Sequence, residues 1–134
     1  MKKVLFIQFL LLVLFSCSLD EETQAPISGA SFSLDVTNSN SSDYILIGTD
    51  RKGNISGNDP DLAFNVGDTI NFGNNTILPF YLKTTAGIGT DNAISGVINN
   101  GTTNQTISWT PTSAGRYYYQ CSFHVGMVGK IIIQ

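Results

Sequence analysis

From Gly115 to Ile133 the chain reads G-R-Y-Y-Y-Q-C-S-F-H-V-G-M-V-G-K-I-I-I. An aromatic run and a β-branched run, both of strand-forming residues, are joined by a loop of a few residues, so the chain must here be strand, short loop, strand. That loop carries a thiol, the only imidazole of the sequence and a thioether: Cys121, His124 and Met127, spaced C-x2-H-x2-M. Thiolate and thioether favour Cu(I), and imidazole serves both oxidation states of copper. Each residue alone has a plainer reading, as a small buried hydrophobe, a hydrogen-bonded histidine and a core gap-filler. Their conjunction on one loop, with Gly126 and Gly129 permitting a tight backbone path, points instead to three ligands of one metal site.

The amino terminus supplies a second constraint. Lys2 and Lys3 precede an apolar run from Val4 to Phe15 that is too short to span a bilayer as a helix, as in a secretory signal. Leu14-Phe15-Ser16-Cys17 resembles a bacterial lipoprotein box, with cleavage before Cys17 and a lipid on its side chain. Residues 1–16 are therefore expected to be a lipoprotein signal peptide and residues 17–29, polar and acidic, a tether to the membrane. The expected location is the bacterial cell envelope, with the domain facing the periplasm or exterior. With Cys17 lipidated, Cys121 has no disulfide partner, which leaves a buried thiol or a working one. Loss of Lys2 and Lys3 takes the net charge from −3 to −5, which disfavours nucleic acid as a partner and weakly favours a basic redox protein.

Residues 30–134 are one domain by length. No dozen-residue window keeps an apolar 3.6 period, whereas Gly, Asn, Ser and Thr clusters recur at short intervals, so the domain reads as all-β. Strands are expected at Ser31 to Val36, Tyr44 to Ile47, Leu62 to Val66, Thr69 to Phe72, Pro79 to Thr84, Thr106 to Thr110, Tyr117 to Cys121 and Lys130 to Ile133. Thr49 to Asn54 reads as a polar loop, Gly67-Asp68 as a hairpin or corner, and Ala86 to Gln105 as mostly loop. By period-two parity Tyr117, Tyr119 and Cys121 share a face. Seven or eight strands at this spacing predict an antiparallel Greek-key sandwich or barrel.

From about Phe32 onward the chain resembles the cupredoxins, the type 1 blue-copper domains of plastocyanin-, amicyanin- and pseudoazurin-like kind. The resemblance is carried by Val66-Gly67-Asp68-Thr69-Ile70-Asn71-Phe72, Pro79-Phe80-Tyr81-Leu82, Trp109-Thr110-Pro111 and Ala114-Gly115 through the donor loop. It implies a cupredoxin-like fold, copper held by Cys121, His124 and Met127, and one-electron exchange with a redox partner protein. It also implies a fourth ligand, a histidine, whose place is read here as Leu78; His124 is the only histidine, so the family's two-histidine site cannot form within one chain.

Two outcomes follow from that loss. Copper is held by the three remaining donors, with Cu(I) favoured over Cu(II) and water, a backbone carbonyl, Asn74 or Asn75 as an added donor. Alternatively Leu78 fills the vacancy and the domain is a copper-free lipoprotein that acts as a structural or binding module. An enzyme is not expected: Cys121 and His124 could form a nucleophile–base pair, but nothing identifiable orients the base, and Met127 is left unexplained.

Overall fold

The structure is a computed structural model and describes residues 29–134. The signal peptide, Cys17 and all but the last residue of the tether lie outside the described residues. Nine strands follow in order: β1 (Ser31–Thr37), β2 (Ile45–Asp50), β3 (Gly53–Asn58), β4 (Leu62–Phe64), β5 (Thr69–Asn74), β6 (Phe80–Lys83), β7 (Thr106–Trp109), β8 (Gly115–Cys121) and β9 (Val128–Ile133). They form a five-stranded sheet, β3-β2-β1-β5-β7, and a four-stranded sheet, β4-β9-β8-β6.

The all-β architecture is as expected, with two corrections. The described residues form nine strands, because Thr49 to Asn54 is not one polar loop: β2 runs on to Asp50, and after a two-residue turn β3 returns along it in a six-pair register. The sheets are mixed rather than antiparallel, since β1 pairs with β5 and β4 with β9 in parallel. Gly67-Asp68 is accordingly a corner rather than a hairpin, carrying the chain from β4 in one sheet to β5 in the other.

Alternation along the strands puts one face of each sheet into a shared core. Leu34 and Val36 from β1, Ile70 and Phe72 from β5, Phe80 and Leu82 from β6, and Tyr119 and Cys121 from β8 are all buried there. Rings organise its centre: Phe80 stacks on Tyr119 at 5.3 Å between centroids, and Tyr44 meets Phe80 edge-on at 5.0 Å. Such pairs contribute about 0.5–1.5 kcal/mol each beyond their area. At the corner before β5, the buried Asp68 carboxylate accepts N–H groups from Ala30 at 2.9 Å and Asn65 at 2.7 Å and forms an ion pair with Arg51. The Arg51 guanidinium holds this carboxyl below the usual range against the opposing effect of burial.

Asp59 has the opposite sign. It closes the β3–β4 connection with a left-handed φ of 42°, accepts the Tyr44 N–H at 3.1 Å and donates its own N–H to the Tyr44 carbonyl at 2.8 Å. Burial pushes its carboxyl up to about 6; the Tyr44 N–H opposes this and Asp43 adds to it. A carboxyl raised in the folded state favours the fold while protonated, so its contribution is full below the unfolded-chain value, about 4, and is lost as pH rises through about 6. Asp59→Asn keeps an acceptor oxygen and tolerates the left-handed backbone. Urea melts across that interval should show the parent losing stability with rising pH and the variant losing measurably less; parallel pH profiles would contradict the assignment.

Candidate metal centre

β8 ends at Cys121 and β9 begins at Val128, so the six residues between them must turn back within one inter-strand spacing. Tyr119 and Cys121 point inward as parity requires, with Tyr117 half-buried on the same face. The turn is closed by its own backbone: the Cys121 N–H donates to the Met127 carbonyl at 3.0 Å, and the Met127 N–H to the His124 carbonyl at 3.3 Å. Cys121 and Met127 are fully buried members of the core cluster, while His124 is half-buried. Cys121 Sγ lies 3.4 Å from His124 Nδ1.

That separation is a direct test of fit. Two donors that bind one ion at about 2.0–2.3 Å in tetrahedral directions stand about 3.5 Å apart; the thiol–imidazole separation, which is also that of a hydrogen bond to sulfur, is compatible with such a pair. Among the described residues no group of three or more His, Cys, Asp or Glu side chains gathers anywhere, and Cys121, His124 and Met127 are the only thiol, imidazole and thioether.

Leu78, read from the sequence as the vacated ligand position, is not the residue paired with the thiol. Leu78 lies before the start of β6, half-buried against the core, in a turn whose polar groups are satisfied internally. Asn74 Nδ2 donates to the Leu78 carbonyl at 2.9 Å and to the Thr102 carbonyl at 2.9 Å, while Asn74 Oδ1 accepts the Thr76 N–H and hydroxyl. Asn74 is thus committed to the turn rather than available as a donor. Across the sheet, the residue paired with Cys121 is Phe80. Directly opposed residues of an antiparallel pair share a face, so the side chain set beside the thiol is the Phe80 ring.

The two loop glycines also act differently from expectation. Neither Gly126 nor Gly129 has a positive φ, so conformational freedom is not their use; they provide room. A Cβ on Gly129 would overlap the Tyr119 phenol, and one on Gly126 would stand 3.3 Å from the Ser42 carbonyl oxygen.

Three supports of the site carry no signature in the sequence. Tyr44 donates its hydroxyl to the Pro79 carbonyl at 2.6 Å, and burial, with the neighbouring Cys121 adding, pushes this phenol far above its ordinary range. Lys83 is buried on the outward face of β6, its ammonium donating to the carbonyls of Gly87 at 2.6 Å and Gly89 at 3.2 Å. The Gly89 N–H in turn holds the Ser122 carbonyl at 2.8 Å, one residue from the thiol. Gln120, also buried, directs its amide nitrogen at carbonyls of the donor loop. Alternation alone would have left Lys83 and Gln120 as outward polar residues.

No family model matches the chain. Amicyanin of Paracoccus denitrificans is 33% identical over 75 residues, which is 56% of this chain and 56% of amicyanin. The match thus spans little more than half the length of that relative. Among solved structures, the copper protein rusticyanin aligns over 80% of this chain and 78% of its own at 17% identity, with a TM-score of 0.50. At that identity the likeness is one of fold. Two packed β-sheets, a Cys-His-Met loop between the last two strands and these likenesses define the class: the chain has the cupredoxin fold.

Tyr119 cannot yield to a new atom at position 129, because its ring is stacked on Phe80 and its hydroxyl donates to the Pro60 carbonyl at 2.8 Å. Gly129→Ala should therefore cost about 1–3 kcal/mol in urea denaturation. Gly126→Ala should cost less than half as much. Equal costs would contradict the reading that the two glycines provide room rather than backbone freedom.

Proposed function

We propose that this chain is an exported, lipid-anchored cupredoxin in which Cys121, His124 and Met127 hold one copper ion, Cu(I) in preference to Cu(II), for one-electron exchange with a partner protein. The observation that carries the reading is the 3.4 Å approach of Cys121 Sγ to His124 Nδ1, on a loop whose third donor, Met127, is buried in the same core cluster. A bound copper ion would supply a one-electron couple. The residues supply the rest: Cys121 and Met127 keep the donors dry, and half-buried His124 leads from the core to the surface. Beside it Phe123 and Val125 are exposed, offering an apolar face to a partner. One imidazole in place of two removes a donor that stabilises Cu(II) and leaves a set dominated by sulfur.

A second reading has an observation of its own. Phe80, opposite Cys121, brings an aromatic ring with no donor atom to the strand position beside the thiol, as a copper-free structural or binding module would allow.

Titration of the reduced protein with Cu(I) against a chromophoric chelator separates the two. The proposal predicts one equivalent bound, with Cys121→Ser and Met127→Leu each weakening binding by at least about tenfold, the loss typical of even indirect partners of a metal. Binding no tighter than that of Cys121→Ser would favour the copper-free module. Cross-strand pairing makes a further distinction: folded Phe80→His should acquire an intense thiolate-to-Cu(II) band, whereas Leu78→His should remain pale. The reverse result would return the vacated ligand position to Leu78.

A further inference from the structure

We infer that the side-chain amide of Gln120 is a positioning group that holds the donor loop in its ligating shape before any metal arrives; the inference rests on the site proposed above. Gln120 is the last residue of β8 before the thiol, and parity turns it away from the core that receives Tyr119 and Cys121. It is nevertheless only 1% exposed, because the loop curls over it. Its Nε2 donates to the His124 carbonyl at 3.0 Å and the Met127 carbonyl at 3.2 Å, with the Val125 carbonyl at 3.5 Å.

Those bonds engage the backbone of the ligands themselves. The Met127 carbonyl receives both the Cys121 N–H and the Gln120 amide, and the His124 carbonyl both the Met127 N–H and the same amide. All three donor residues are thereby joined in one network that needs no ion. The chemistry also sets the orientation of the amide, since a carboxamide turned the other way would press Oε1 against three carbonyl oxygens. A glutamine is well suited here because it presents two N–H groups without charge, giving carbonyls that already accept one backbone N–H a second partner. A loop ordered in advance does not lose that freedom on binding, and the saving appears as affinity.

Substitution separates the clamp from simple filling of space. Gln120→Met keeps the length and removes the donors; Gln120→Lys restores N–H donors to the same carbonyls, using the chemistry that Lys83 already uses on Gly87 and Gly89. Two readouts are taken on folded protein, well below the unfolding midpoint: the rate at which iodoacetamide alkylates Cys121 without metal, and Cu(I) affinity by chelator competition. Gln120→Met should alkylate at least tenfold faster and bind Cu(I) at least tenfold more weakly, and Gln120→Lys should recover most of both. If Gln120→Met stays within twofold of the parent in alkylation, or if Gln120→Lys behaves like Gln120→Met, the clamp is overturned. If alkylation responds as expected while the parent binds no Cu(I), the clamp stands and the copper reading alone falls.

Discussion

The structure depends on the pairing of β8 with β6 on one side and β9 on the other. β8 is the strand that ends in the thiol, and the stack of Phe80 on Tyr119 fixes it against its neighbour. Tyr44, just before β2 of the other sheet, joins these rings and ties its hydroxyl to Pro79, at the entrance to β6. Hydrophobic packing and sheet pairing therefore act on the same few residues, and the position of Cys121 follows from them rather than from any bond to a metal. A rigid support of this kind is what a site of fixed geometry requires.

On that support the donor loop is held from several directions. Gln120 binds its carbonyls, the Gly89 amide grips Ser122, Lys83 anchors the Gly89 turn, and Ser42 lies close under Gly126. Buried polar groups are costly unless paired; among the described residues every buried side-chain nitrogen and oxygen has a partner. The polar groups around the loop are thus spent on its shape, while Cys121 and His124 face each other at 3.4 Å. Phe80, the residue paired with Cys121, belongs to the same frame through its stack on Tyr119.

The loop from Cys121 to Met127 and its two flanking strands were legible because they are local, and local spacing survives in sequence. The all-β class was legible for the same reason, through alternation and turn residues. β3 was not, because Gly53, Asn54, Ser56 and Gly57 have no apolar pattern; it forms as an edge strand by hairpin return along β2. Nor were the parallel pairings of β1 with β5 and β4 with β9, which join segments far apart in the chain and leave no mark on local periodicity. The residue opposite Cys121 is a matter of register. Leu78 and Phe80 have the same parity, so alternation could not choose between them, and only the pairing of β6 with β8 selects Phe80. Gln120 and Lys83 were missed because a polar residue on the outward face of a strand normally meets water; here loops cover both.

The central claim is that Cys121, His124 and Met127 converge on one point and bind copper there. X-ray absorption at the copper edge, on protein loaded with one equivalent of Cu(I), reads the neighbours of the ion directly. The account predicts a shell of two sulfur atoms and one imidazole nitrogen, reduced to one sulfur in Met127→Leu and again in Cys121→Ser. A copper ion surrounded by nitrogen and oxygen alone, or a sulfur shell unchanged by either substitution, would contradict it.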